Sequence, residues 1–359
     1  MMSAAYALID QAALQHNLVI VRRHAPDANI MAVIKANAYG HGMLRMARIL
    51  AVAVDSLAVA RTDEAIALRE QGVTTPITVL QGFMGRDELM CYAKYQLTAV
   101  VHQHEQIRQL LAGSSPEKIA VWLKMDSGMS RLGFLPTEWN AVCTLLQNST
   151  QVQQPFGVMT HLASADEVDC HQSRQQLQRF DTLTCQHIGA KSIANSAAIL
   201  ACPAAVTDWI RPGLMLYGVS PFPDKSAADL GLKPVMTLKS RLISVKTVPQ
   251  GETVGYGGSW RCQQATRVGI VSIGYGDGYP RYARNGTPVL INGKVVPLIG
   301  RVSMDMLAVD LSTLPEAKIG DTATLWGEGL PVETIAQYAE TIPYTVLCGI
   351  TPRVEIIER

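Results

Sequence analysis

The chain has 359 residues, long for one ordinary domain and short for three, so two domains are the first expectation. With 48% hydrophobic and 17% charged residues and a formal net charge of +1, it reads as a globular protein with a large core. That composition excludes a disordered chain and offers no basic footprint for a nucleic-acid backbone. No stretch approaches the roughly 18 apolar residues that span a bilayer, and Met1 to His16 lacks a basic stretch followed by an apolar run. A cytoplasmic protein with no membrane or nucleic-acid partner is expected. The seven cysteines are odd in number and never spaced C-x-x-C, which suggests buried, reduced thiols rather than a disulfide framework or a zinc site. His102, His104 and the Cys170-His171 pair lack further ligands at short spacing, so no metal is expected.

In chain order, Ala4-Ile9 reads as a strand, and from Ile30 onward short apolar runs alternate with longer amphipathic stretches, the pattern of βα units around a parallel sheet. Eight such runs occur: Met31-Ile34, Leu57-Val59, Ile77-Leu80, Thr98-Val101, Ile119-Leu123, Phe156-Thr160, Ser192-Ala194 and Asp208-Ile210. Helical patterns such as Thr62-Gln71, Arg86-Lys94 and His104-Leu111 lie between them. Eight repeats suggest a (β/α)₈ barrel, an α/β fold whose chemistry gathers at the C-terminal ends of the strands. Lys35, Lys124, His161, Asn195 and Arg211 each fall just after one of these runs.

Beyond Gly218 the texture changes. Ser220-Pro221-Phe222-Pro223 makes a break, and Val235-Val248, Thr266-Ile273, Pro288-Ile291, Val295-Ile299, Leu307-Leu311 and Thr322-Trp326 read as strands with glycine turns such as Asn292-Gly293. Only Val332-Thr341 reads as a helix there. The expected domains are therefore a barrel over 10–232 and a mainly β domain over 233–359, joined by the strand 1–9.

The most informative run is Ala32-Val33-Ile34-Lys35-Ala36-Asn37-Ala38-Tyr39-Gly40-His41-Gly42. Three apolar residues lead into an amine at the end of a buried strand, with a phenol four positions on. Burial disfavours the ammonium form, so such a lysine becomes a nucleophile able to form a Schiff base. At the last strand, Arg211-Pro212-Gly213-Leu214 makes a turn whose glycine lets backbone amides approach an anion, and Asn195-Ser196 on the preceding strand adds a hydroxyl.

The run around Lys35 closely resembles the cofactor-lysine motif of alanine racemases, the pyridoxal-phosphate enzymes that interconvert L- and D-alanine. The resemblance continues nearly end to end. It implies that Lys35 carries the cofactor, that Tyr39, Asn195, Ser196 and the amides of Gly213 and Leu214 bind it at the phosphate side, and that Arg211 points at the pyridine nitrogen with His161 hydrogen-bonded to that arginine. An always-protonated guanidinium leaves the pyridine unprotonated and the electron sink shallow.

Inverting a stereocentre needs either one base reaching both faces or two bases on opposite faces. Gly274-Tyr275-Gly276-Asp277-Gly278-Tyr279-Pro280-Arg281 resembles the family loop whose first tyrosine serves the face opposite Lys35. Lys124-Met125-Asp126-Ser127-Gly128-Met129-Ser130-Arg131 resembles the segment whose arginine, here Arg131, bonds the tyrosine and the substrate carboxylate, and whose lysine, here Lys124, is often carbamylated. Gly300-Arg301-Val302-Ser303-Met304-Asp305-Met306 matches the segment in which the amide of Met304 receives the substrate carboxylate. The family solution is a head-to-tail homodimer in which each site borrows Tyr275 and Met304 from the partner chain, and its product, D-alanine, is supplied to peptidoglycan or degraded. One departure is Pro352, which stands where some members place a further tyrosine near the phosphate. The competing readings are a racemase of broader specificity, a barrel-type decarboxylase, disfavoured by Arg211, and a barrel that only binds pyridoxal phosphate, a type that lacks the second domain.

Overall fold

A computed structural model describes residues 4–112, 117–167 and 170–359. The first strand is β1 (Tyr6–Ile9); of the strand expected over 1–9, residues 1–3 lie outside the described residues. The next eight are β2 (Asn29–Val33), β3 (Ser56–Val59), β4 (Ile77–Val79), β5 (Leu97–Val101), β6 (Ala120–Lys124), β7 (Gly157–Met159), β8 (Lys191–Asn195) and β9 (Trp209–Arg211). They pair in parallel in chain order, and β9 returns to β2 through Ile210 and Ile30 to close the barrel. Every residue of β3 and β4 is buried, as strands covered on both faces require. Strand bounds differ from the sequence reading by a residue or two. Ile119 makes only an isolated bridge to Val152.

The remaining strands are β10 (Met236–Val248), β11 (Thr253–Val254), β12 (Trp260–Arg261), β13 (Thr266–Val271), β14 (Pro288–Ile291), β15 (Lys294–Ile299), β16 (Leu307–Asp310), β17 (Thr322–Trp326) and β18 (Glu355–Glu358). All but β11 and β12 join one sheet in the order β13-β16-β15-β14-β17-β10-β1-β18. The 13 residues of β10 let it pair with β1 and β17 in its first part and with β13 from Leu242 onward.

A second helix, Pro343–Cys348, follows Val332–Tyr338, where the sequence reads only one. It is six residues long, too short for an apolar period to register, although its proline occupies the first turn, where a missing N–H costs nothing. The thiols also depart from expectation: none of the seven forms a disulfide, but only Cys262 is buried, while Cys185 and Cys348 are exposed at the C-terminal ends of helices.

The described residues up to Leu18, with Leu216–Ser220 and Asp224–Arg359, form one compact unit; Val19–Met215 with Pro221–Pro223 forms the other. Residues 10–18 fall with the sheet because their polar groups are satisfied there. Asp10 N–H donates to Val235 O at 2.8 Å, and Asn17 Nδ2 donates to Leu216 O and Lys233 O at 3.0 and 2.8 Å. Among the described residues no helix is long and apolar enough to cross a membrane.

Directly after β2, Ala36, Asn37, Ala38 and Tyr39 all take φ of 52–53° and wind a left-handed turn beginning at Lys35. Such backbone costs an L-residue about 1–2 kcal/mol, so the surroundings must hold it. Glu64 Oε1 accepts the N–H of Ala36 at 2.8 Å, while Oε2 accepts those of Ala60 and Arg61 at 2.8 and 3.2 Å. Asn37 Oδ1 accepts the N–H of Met43 at 2.8 Å. The fully buried His41 closes the turn, with Nδ1 donating to Ala38 O at 3.1 Å and Tyr39 O at 3.0 Å. Both partners only accept, so Nδ1 must carry the proton. Burial pushes the His41 pKa down to about 4 against the opposing pull of those carbonyls.

Two outcomes are expected from this turn. Residue 36 is exposed, and glycine takes positive φ without steric cost, so Ala36→Gly is expected to leave the melting temperature unchanged or raise it, by about 0.5–1 kcal/mol of stability. A drop of several degrees in thermal unfolding would contradict the strain argument. His41 is held neutral when folded but titrates near 6.5 when unfolded, so between about pH 6.5 and pH 4 the unfolded chain binds the extra proton and stability falls as pH falls. Urea midpoints should register a loss of about 2 kcal/mol between pH 7.5 and pH 5; a flat profile over that range would refute the assignment.

Candidate active site

Five strands of the barrel end in a chemically active side chain. Lys35 follows β2, Lys124 closes β6, His161 stands two residues past β7, Asn195 closes β8 and Arg211 closes β9. All five thus lie at or within two residues of the C-terminal ends of barrel strands, the end where this fold gathers its chemistry.

Arg211 is buried, and its partners are carbonyls and hydroxyls rather than carboxylates. Nη1 donates to Ser192 Oγ at 2.6 Å; Nη2 donates to Thr160 O at 2.7 Å, Ile193 O at 3.0 Å and His161 Nδ1 at 3.2 Å. A guanidinium has no lone pair to accept with, so His161 Nδ1 accepts and its ring is neutral. Burial and then the nearby charges of Arg211, Lys124, Arg131 and Lys35 hold the His161 pKa well below its ordinary value. Burial lowers Arg211 to about 10, which leaves it protonated at neutral pH. Ser192 was readable only as part of a strand, and its signal was a hydroxyl within an otherwise apolar run.

Lys124 is brought down to about 7, by burial first and then by Arg211, Arg131 and Lys35, with Asp126 pulling the other way. Asp126 is itself committed: its Oδ1 accepts the N–H groups of Gly128, Met129 and Ser130, each at 3.0 Å. That triple bond set shapes the loop leading to the exposed Arg131. Beside it, Gln176 Nε2 donates to His161 O at 3.0 Å and its Oε1 accepts the N–H of Ala163 at 2.9 Å, fixing the segment after β7. The result is a mouth rich in positive charge with one carboxylate among the groups that set these pKa values.

On the neighbouring strand β8, Asn195 Oδ1 accepts the N–H of Ala198 at 3.0 Å and caps the helix Ser196–Ala201. The cap is therefore Asn195, and Ser196 serves elsewhere. Ser196 Oγ accepts the N–H of Gly213 at 2.9 Å and that of Met215 at 3.3 Å, which uses both lone pairs and leaves its O–H only the role of donor. The sequence pointed to the amides of Gly213 and Leu214; the structure commits the Gly213 N–H, together with that of Met215, to Ser196 Oγ, and Leu214 is buried at the start of the short turn Leu214–Tyr217. A Cβ at residue 213 would stand 2.6 Å from Tyr39 Oη, so glycine is what lets the phenol reach this backbone. Lys35, Tyr39, Lys124, Arg131, His161, Asn195, Ser196, Arg211, Gly213 and Leu214 thus all belong to the barrel unit.

Tyr275 and Met304 belong to the sheet unit and are adjacent loops there. Tyr275 N–H donates to Ser303 O at 3.1 Å and Gly276 N–H to Met304 O at 2.8 Å. Both side chains are exposed, Tyr275 at 38% and Met304 at 52%. The Arg281 guanidinium lies 5.8 Å from the centre of the Tyr275 ring, a cationic neighbour that the motif contained without announcing its role. Pro352 is exposed. The histidines weighed as ligands have other partners: His104 pairs with Glu138 at 2.7 Å and His102 with Gln81 O at 2.9 Å.

Comparison with known proteins places this geometry. Residues 9–221 match the alanine racemase N-terminal domain and residues 235–358 the alanine racemase C-terminal domain. A curated alanine racemase of Aeromonas hydrophila is 51% identical over 353 residues, covering 98% of this chain and 99% of its own length, and one of Vibrio parahaemolyticus is 48% identical over 355 residues, covering 99% of each. The crystal structure of the biosynthetic alanine racemase from Pseudomonas aeruginosa superposes with a TM-score of 0.96 at 43% identity, and that of the Acinetobacter baumannii enzyme with 0.92 at 38%, each over 100% of both chains. With both domains matched along nearly the whole length and the barrel-mouth residues in place, the chain belongs to the alanine racemase family.

Proposed function

We propose that this chain interconverts L- and D-alanine with pyridoxal phosphate as its resident cofactor, using Lys35 and Tyr275 as two proton-transfer groups on opposite faces of the substrate. The observation that carries the reading is the barrel mouth, where an amine, a phenol and a hydroxyl able only to donate surround an excess of positive charge. These residues fit the cofactor: the backbone at Gly213, which a Cβ would fill, and the Ser196 hydroxyl form a cradle for a phosphate, and the cations offset its charge. When bound, pyridoxal phosphate condenses with amines and withdraws electrons from the carbon they carry, which acidifies the Cα proton.

The chain's own residues then have distinct tasks. Tyr39, the Ser196 O–H and the amide of Leu214 hold the phosphate, the Gly213 N–H holds Ser196 in place for it, and Asn195 orders the helix start beside it. Lys35 anchors the cofactor at rest; released by the substrate amine, its Nζ takes or returns the proton on one face. Arg211 would be the residue that meets the pyridine nitrogen of the cofactor. It keeps its proton at neutral pH, so it donates without protonating the ring, and His161 steadies it as an acceptor. A shallow electron sink rewards rapid return of the proton over side reactions, and it disfavours decarboxylation. Arg131 and the amide of Met304 take the substrate carboxylate.

Tyr275 serves the second face through Oη. A phenol serves as a base only if the negative charge developing on its oxygen in the transition state is stabilised, a task for the Arg131 and Arg281 guanidiniums. Tyr275 and Met304 act in the site of a second copy, giving a homodimer with two equivalent shared sites. Lys124 carries a carbamate: near a pKa of about 7 a large share of the amine is unprotonated, attacks carbon dioxide with loss of a proton, and becomes an anion opposite Arg131. The reaction runs in the cytoplasm, supplying D-alanine for peptidoglycan or degrading it. The second reading, a racemase of wider specificity, is separated by chiral analysis of a panel of L-amino acids.

Borohydride reduction of the holoenzyme should place a pyridoxyl group on Lys35, and Tyr275→Phe should slow Cα-proton exchange unequally from the two enantiomers of alanine. A label on another lysine, or small equal losses for both enantiomers, would end the two-base assignment. For Lys124, protein equilibrated with ¹³C-bicarbonate should give one carbamate carbon resonance that Lys124→Ala removes; its persistence in that variant would withdraw the modification.

A further inference from the structure

The two residues that the proposed reaction draws from the sheet unit share one support. Arg353 lies on the segment leading into β18, and its guanidinium bridges two carboxylates on different loops. Nε stands 3.2 Å from Asp277 Oδ1, and Nη2 stands 2.8 Å from Asp305 Oδ1. Asp277 is two residues past Tyr275, while Asp305 directly follows Met304. The Asp277 side chain is only 6% exposed, and its Oδ2 accepts the N–H of Gly274, the residue before Tyr275, at 2.9 Å.

The same segment adds backbone ties. Thr351 Oγ1 donates to Gly276 O at 2.9 Å, and Thr351 N–H donates to Asp277 O at 3.2 Å. The contact leaves no room for a side chain at residue 274, where a Cβ would run into Ser303 O and Met304 O. At residue 276 a Cβ would meet the Arg353 guanidinium at 2.5 Å. On the other loop, Ser303 N–H and Oγ–H both donate to Met306 O, at 2.9 and 2.6 Å, which fixes the turn that presents the Met304 amide.

From this arrangement we infer that Arg353 is the positioning residue that sets Tyr275 Oη and the Met304 amide in one relative geometry, so that the phenol and the carboxylate-binding amide are registered against the same substrate. The inference rests on the reading of Tyr275 and Met304 given above. A planar fork can reach two acids along two directions at once, whereas an ammonium is a point charge and satisfies one well. Without the guanidinium the buried Asp277 loses its cation, and Asp305 becomes a second like charge on the facing loop with nothing between them. The loops would separate at the point where the two functional groups emerge.

The test uses holoenzyme carrying Arg353→Gln, Arg353→Lys, Asp305→Asn or Tyr275→Phe. It reads kcat and KM in both directions and the rate of solvent deuterium entry at Cα from each enantiomer. Arg353→Gln should lower kcat/KM about 10- to 100-fold, raise KM for alanine, and slow exchange more on the face served by Tyr275. Arg353→Lys should recover part of the loss, and Asp305→Asn should reproduce the KM rise with a smaller fall in kcat. Kinetics within about twofold of the parent for Arg353→Gln, or a fall in kcat that is equal for both exchange directions at unchanged KM, would overturn the inference. If Arg353→Gln does not fold, Arg353→Lys and Asp305→Asn decide by the same face-specific readout. Unchanged exchange in Tyr275→Phe would remove the base assignment and this inference with it; face-specific slowing there, without it in the Arg353 variants, removes only the role of Arg353.

Discussion

The constraint on which the barrel mouth depends is an excess of positive charge taken out of water. Arg211 is buried against carbonyls of Thr160 and Ile193 and the hydroxyl of Ser192, with no carboxylate among its partners. Dipoles offset part of the desolvation cost but leave the net charge in place. That charge propagates: it helps to hold Lys124 near neutrality and His161 deprotonated, each with a contribution from Lys35 and Arg131. The same field that penalises these cations favours an anion wherever one can enter. Under the proposed function, a phosphate, a substrate carboxylate and a carbamate on Lys124 would each relieve it.

A second constraint is conformational. The left-handed turn over residues 36–39 breaks the local preference of four L-residues in succession, and its stabilising contacts come from elsewhere, from Glu64, Met43 and the buried His41. Strain held in place by surrounding packing is common where a group must point in one direction. Here it turns the chain so that Lys35 leaves the strand end while Tyr39 swings back toward Gly213.

The sequence made the barrel legible because strands buried on both faces are written as short apolar runs, and those runs matched all eight strands within one or two residues at each end. The place of Lys35 just past a strand end was legible for the same reason, although a lysine snorkelling to solvent reads alike there and only the surrounding motifs set it apart. The handedness of the next turn was not. Ala-Asn-Ala-Tyr contains no glycine, and its propensities favour an ordinary helix, so only tertiary contacts select the rarer form. Met215, Ser192 and Arg281 were likewise hidden, because an amide, a strand hydroxyl and a loop arginine gain their meaning from neighbours distant in sequence. The helix Pro343–Cys348 escaped because one and a half turns carry too little periodicity.

Arg353 illustrates the limit of motif reading from the other side. In the sequence it is an ordinary charge near the C-terminus, and its side chain is half exposed, which usually marks an ion pair of little energetic consequence. Its partners change that judgement. One carboxylate is almost fully buried and hydrogen-bonded to the backbone next to Tyr275, so its charge cannot be left to water. The other sits beside Met304, on a loop already bonded to the Tyr275 loop through two peptide groups. An exposed arginine that bridges a buried acid to a neighbouring loop acts on geometry more than on global stability. Under the proposed function its influence would fall on Tyr275 and Met304, where small displacements are felt most.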